Sequence, residues 1–136
     1  MELNYNINVL KFFFMIDYFN LNLNMEIFPV QDGLQVVEFK GNMDKVGLQS
    51  IKEKLEKLVE TFESIYLVFD FDQLEFINSE AIGFLLTLHS RLIKKDKKIM
   101  ILKPKSHVLD VLNVIGLSKI IECYDTMELL KGSIKG

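Results

Sequence analysis

Hydrophobic and polar positions follow two rhythms along this chain, and the rhythm changes at short polar breaks. Glu26 to Val30 and Leu34 to Phe39 are β-leaning runs separated by Gln31, Asp32 and Gly33. Asp-Gly between two such runs predicts a tight antiparallel hairpin. Pro29 has no amide hydrogen for a ladder, which assigns the first strand to a sheet edge. From Lys45 to Phe62 the apolar residues Leu48, Ile51, Leu55, Leu58, Val59 and Phe62 recur at helical spacing. Lys and Glu fill the other face, so an amphipathic helix should lie on a sheet, with Asp44 as its N-cap. Ile65 to Phe69 is continuously apolar, as in a central strand covered on both sides.

A second helix is predicted from about Ser79 to Lys95, apolar around so much of its start that this end must pack deeply. Ile99 to Leu102 reads as another buried strand, stopped by Pro104. Ser106 should cap a short helix that ends at a left-handed Gly116. Ile120 and Ile121 suggest a last strand, and Asp125 with Glu128 resembles the capping box of a terminal helix. The order ββαβαβαβα predicts an α/β fold: a mostly parallel mixed sheet with an N-terminal antiparallel hairpin and helices packed on it.

The length of 136 residues fits one domain. Sixteen Lys and Arg against 19 Asp and Glu, with signs interspersed, argue against a nucleic-acid binder, which needs a concentrated basic face. One cysteine, Cys123, excludes an internal disulfide and, with only two histidines, gives no zinc spacing. A cytoplasmic setting is expected. Residues 1–24 differ from the rest, being rich in Asn and aromatics. Their apolar run Phe12 to Ile16 is far shorter than the roughly 20 residues of a membrane span and lacks a signal-peptide frame. This segment reads as an element packed on the domain, an oligomerisation arm, or an extension upstream of a start at Met25. The first and last are favoured over an arm, which leaves residues 25–136 as the domain.

Catalytic motifs are missing: the chain has no phosphate-binding glycine loop, nucleophile elbow or HExxH helix. No cofactor or metal is expected. Asp70, Asp72 and Glu75 read as solvated strand-end carboxylates, His89 and His107 as surface or boundary residues, and Cys123 as a small core residue. The distinctive stretch is Asn78, Ser79, Glu80 at a strand-to-helix junction. Its plain role is capping, with Glu80 at the positive end of the helix dipole. The same free amides would also accept a phosphate placed on a serine there.

The run Leu67, Val68, Phe69, Asp70, followed by Leu74 and Phe76 to Gly83, resembles the signature of STAS domains, the anti-sigma factor antagonists. Gly41, Asn42, Met43, Asp44 (a G-x-hydrophobic-D pattern) and Leu112, Ile115, Gly116, Leu117 extend the resemblance from about Met25 to Leu130. It implies a non-enzymatic regulator that binds a serine-kinase anti-sigma factor and is switched off by phosphorylation, with a weak homodimer left open. The family's acceptor lies in a D-S-S-G-like turn, usually at the second hydroxyl. Here Asn78 matches the acid, Ser79 the first serine, Glu80 the usual acceptor and Ala81 the glycine. Glu80 is then a partial phosphomimic and Ser79 the candidate phosphoacceptor. Asp44, Asn78, Ser79, Glu80 and Ile82 are the expected partner contacts, Ile82 as the best exposed apolar one. The alternative keeps the fold as an accessory subunit of a lipid-transport ABC system or a stress-signalling scaffold. An enzyme using Ser79 as nucleophile is poorly supported, because no motif places a histidine beside it.

Overall fold

The computed structural model describes residues 22–134. Five strands form one mixed sheet in the order β1-β2-β3-β4-β5. β1 (Leu23–Ile27) pairs antiparallel with β2 (Leu34–Met43), and β3 (Tyr66–Ile77), β4 (Lys98–Leu102) and β5 (Cys123–Tyr124) add in parallel. The α-helices between and after them are α1 (Lys45–Thr61), α2 (Ser79–Ile93), α3 (Ser106–Ile115) and α4 (Met127–Ile134). None is long and apolar enough to cross a membrane.

The hairpin closes as expected. Asp32 and Gly33 both adopt positive φ, 55° and 79°, the twist-matched geometry of a two-residue turn. Gln31 and Leu34 exchange backbone hydrogen bonds of 2.8 and 3.0 Å across it. β1 is an edge strand, although it begins at Leu23 and ends before Pro29. The boundary expected after Asn24 therefore falls inside β1, where Leu23 and Asn24 lie opposite Gly41 and Lys40.

Helices α1, α2 and α3 share one face of the sheet with Val37, Phe39, Phe69 and Ile101 in a single buried cluster. Phe39 meets Phe69 and Phe71 edge-on, with ring centroids 5.1 and 5.7 Å apart, an arrangement that aligns ring edges with ring faces. The opposite face carries a smaller cluster of Leu34, Val68, Met100 and Leu102 beneath Leu130 of α4.

Four local expectations shift. The third strand does not stop at Phe69 but runs to Ile77, and it carries one extra residue against β2 between Asp70 and Gln73 and another between Leu74 and Phe76. Ser106 is the first helical residue of α3; Lys105 occupies the cap position without a side-chain bond. Ile120 is exposed after a 3₁₀ turn, and the last strand is Cys123–Tyr124. Thr126, not Asp125, caps α4, its Oγ1 accepting from the Leu129 amide at 3.1 Å.

Candidate functional site

β2 and β3 end side by side, with Met43 opposite Ile77. Each then delivers one capping residue and a helix. Asp44 Oδ1 accepts from the Gly47 amide at 2.8 Å, and Asn78 Oδ1 accepts from the Ala81 amide at 2.8 Å. The Asn78 amide donates to the Met43 carbonyl at 3.1 Å, so the sheet ladder continues into the second cap. Two helix N-termini therefore open next to each other at one end of the sheet, and the positive ends of their dipoles reinforce one another.

A third polar residue completes the junction. Asn22 Nδ2 donates to both carboxylate oxygens of Asp44 at 3.0 Å, and Asn42 Nδ2 donates to Asn22 Oδ1 at 3.3 Å. The Asn42 amide also donates to the Asn22 carbonyl at 2.7 Å. Glycine is needed at two neighbouring positions: a Cβ on Gly41 (φ 114°) would stand 2.0 Å from the Asn22 carbonyl oxygen, and one on Gly47 would stand 2.1 Å from that of Asn42. The stretch from Gly41 to Asp44 thus has a physical reason at each position: room for Asn22, a tie to it, a core side chain, and a cap.

Ser79 and Glu80 are exposed and Asn78 is half-buried. The amides of Ser79 and Glu80 have no acceptor among the described residues. None of five hollows in the described surface, from about 260 to about 550 Å³, is lined by Asp44, Asn78, Ser79 or Glu80. The junction residues Ser79 and Glu80 lie on open surface. No group of three or more His, Cys, Asp or Glu among the described residues could hold a metal ion.

Ile82 corrects an expectation. It is 1% exposed and belongs to the core, because the first turn of α2 docks Ala81 and Ile82 onto the sheet while Gly83 faces outward. The exposed apolar residues flanking the two caps are Val46, at 46%, and Phe76, at 48%. Sequence reasoning missed both, though Phe76 lies next to buried Ile77 in a strand and so falls on the other face. At the start of α3, His107 Nε2 contacts the Glu75 carbonyl at 2.6 Å and Lys105 pairs with Glu75 at 3.6 Å, which ties this helix to the end of β3.

His89 is also not at the surface. It is buried, and its Nδ1 accepts the Ile99 amide at 3.2 Å, so the neutral ring bears its proton on Nε2. Burial and the nearby Lys98 ammonium lower its pKa, partly offset by Glu122. Cys123 is half-buried with its thiol pushed up to about 11 by burial and by Asp125, which leaves it protonated and unreactive at neutral pH.

A family model, the STAS domain, matches residues 27–129. The chain belongs to the STAS family. Among solved structures it is similar to an anti-sigma factor antagonist from Mycobacterium paratuberculosis, at 19% identity and a TM-score of 0.73 over 84% of this chain and 95% of that one. It is likewise similar to the anti-sigma factor antagonist SpoIIAA in its unphosphorylated form, at 19% identity and a TM-score of 0.69 over 83% of this chain and 97% of that one. The Bacillus cell fate determinant SpoIIAA in its phosphorylated form matches at 17% identity and a TM-score of 0.62, covering 81% of this chain and 99% of the other. At these identities the likeness is one of fold. In this STAS domain the two motif stretches, Gly41 to Asp44 and Leu74 to Gly83, form the paired strand-to-helix junctions.

Proposed function

We propose that this STAS domain is an anti-sigma factor antagonist-like regulator. Its partner is an anti-sigma factor of the serine-kinase type, bound through the turn at the start of α2. The observation that carries this reading is the pair of adjacent helix N-termini with Ser79 and Glu80 exposed between solvent and free amides. Asp44 and Asn78 hold the two helix starts, Ser79 and Glu80 present the polar contact, and Val46 and Phe76 supply its apolar border.

Glu80 stands where the family usually carries its phosphoacceptor. Its single charge and two oxygens compare with about 1.5 to 2 charges and three oxygens on a phosphoserine, so it imitates the phosphorylated state only in part. Ser79 is the hydroxyl left for modification. A phosphate there would meet the unpaired amides and both helix dipoles, while the carboxylates of Glu80 and Asp44 oppose it.

The test is incubation of the protein with its cognate kinase and ATP. Phosphate should enter the wild type and be lost in Ser79→Ala; a wild type that stays unmodified while binding the kinase removes Ser79 from the proposal. Absence of any complex between the two proteins removes the partner assignment itself. In a companion measurement, phosphorylated Glu80→Ser should release the partner more completely than the wild type, and an unchanged affinity would count against Glu80 as the switch position.

A further inference from the structure

β1 leaves one side of its backbone unpaired among the described residues. The Asn42 amide donates to the Asn22 carbonyl, the Phe28 amide donates to the Val36 carbonyl, and Met25 lies opposite Phe39. Because bonded and non-bonded pairs alternate in an antiparallel ladder, Leu23, Met25 and Ile27 turn their N–H and C=O groups away from β2. These groups repeat about every 6.8 Å, the spacing a further strand would match.

The same three residues face α1, and a trough runs between them and the helix. One hollow of about 550 Å³ is lined by Met25, Glu26, Ile27, Lys54, Lys57 and Leu58, among others; it adjoins a second of about 260 Å³ at Leu23, Ser50 and Ile51. Ile27 is 41% exposed on its rim. The edge is only lightly protected: β1 carries no lysine, its one charged residue is Glu26, and Pro29 falls beyond the end of the strand. The sheet's other edge, β5, is only two residues long.

We propose that the outer edge of β1 takes up an extended segment of a partner protein as a sixth strand. Its alternate apolar side chains enter the trough, and a carboxylate faces Lys54 and Lys57. Main-chain hydrogen bonds would hold the segment and the trough would select its side chains. Charge identifies the occupant. Lys54 and Lys57 have no ion-pair partner among the described residues, which favours an acidic segment. Glu26 alternates with Met25 and Ile27 along β1 and also lines the larger hollow, so the segment should be uncharged where it passes Glu26. A second copy of this chain fits less well: β1 paired with its own counterpart would bring two α1 helices together, with Lys54 and Lys57 near their equivalents.

The experiment is an NMR titration of the full chain with a blocked eight-residue peptide that alternates threonine and valine, one valine replaced by glutamate. Binding should shift the amides of Leu23, Met25 and Ile27 and slow their hydrogen exchange. The variant carrying Lys54→Glu and Lys57→Glu, both exposed positions, should bind about tenfold more weakly, as two reversed surface charges imply. A peptide with lysine in place of the glutamate should restore binding to that variant. The proposal is overturned if the three amides do not respond, or if the double variant binds as well as the wild type. It is equally overturned if those amides are already protected in the free chain, since another part of the chain or a second copy would then hold the edge.

Discussion

The amide of Asn78 donates to the carbonyl of Met43, 3.1 Å away, and this one bond couples the start of α2 to the residue that precedes the cap of α1. Each cap should therefore matter beyond its own helix. Asn78→Ala removes the acceptor for the Ala81 amide and should cost about 1 kcal/mol in chemical denaturation, whereas Asn78→Asp keeps the acceptor and should cost less. Asp44→Ala should cost more, about 2 kcal/mol, because it also leaves the Asn22 amide group without its carboxylate.

Burial divides the apolar residues at this end of the sheet. Ile82 is buried, so Ile82→Ala should lower stability by about 2–5 kcal/mol, and any loss of partner binding in that variant would reflect the fold. Val46 and Phe76 are about half exposed. Val46→Ser and Phe76→Ser should keep the folded state within about 1 kcal/mol while weakening partner association. Denaturation curves and binding isotherms on the same three variants check both statements.

Much of this architecture was legible because single residues carry strong local meaning. Asp32-Gly33 specified the hairpin through its positive φ values, Gly116 ended α3 at φ 86°, and the heptad-like spacing of Leu48, Ile51, Leu55 and Val59 oriented α1. The extension of β3 was not legible. Its buried residues beyond Phe69 are Phe71, Leu74 and Ile77, a spacing of three that the two-residue period of a strand does not predict. Only the two extra residues that β3 inserts against β2, between Asp70 and Gln73 and between Leu74 and Phe76, reconcile it with the sheet. Ile82 was misplaced because Ala81, Ile82, Phe84 and Leu85 surround the start of α2 almost completely, and periodicity then gives no outward direction. Asn22 was invisible for another reason. A lone polar residue ahead of the first apolar run carries no pattern, and its role appears only when Gly41, Asn42 and Asp44 are brought to it.

Gly41 offers a test of that junction. A methyl group there would meet the Asn22 carbonyl oxygen at 2.0 Å, in a backbone region of φ 114° that favours glycine. Gly41→Ala should therefore lower stability by about 2 kcal/mol or more. It should also displace Asn22 from Asp44, visible as a change in the Asn22 side-chain amide resonances. A chain begun at Met25 should be destabilised too, since it loses Asn22 and the buried Leu23. A truncated chain as stable as the full one would contradict the importance of the contact.

The remaining prediction concerns pH. His89 is buried with Nδ1 accepting the Ile99 amide; burial first, and then the Lys98 charge, lowers its pKa from the ordinary 6.5, with Glu122 acting in the opposite direction. A histidine whose folded pKa is lowered binds its proton more readily in the unfolded chain. Stability should therefore be fully present above about pH 6.5 and fall as pH drops below it, levelling off only once the folded state also takes up the proton. Protonation would turn Nδ1 from acceptor into donor and set it against the Ile99 N–H. The Glu122 carboxyl is lowered by its bonds to Tyr124 and Lys98, so its own loss of stabilisation belongs to a more acidic window, below the ordinary 4.5. Thermal denaturation across pH 5 to 8 should show the histidine-dependent slope in the wild type and a flatter profile in His89→Gln; parallel profiles for the two proteins would show that His89 does not set the slope.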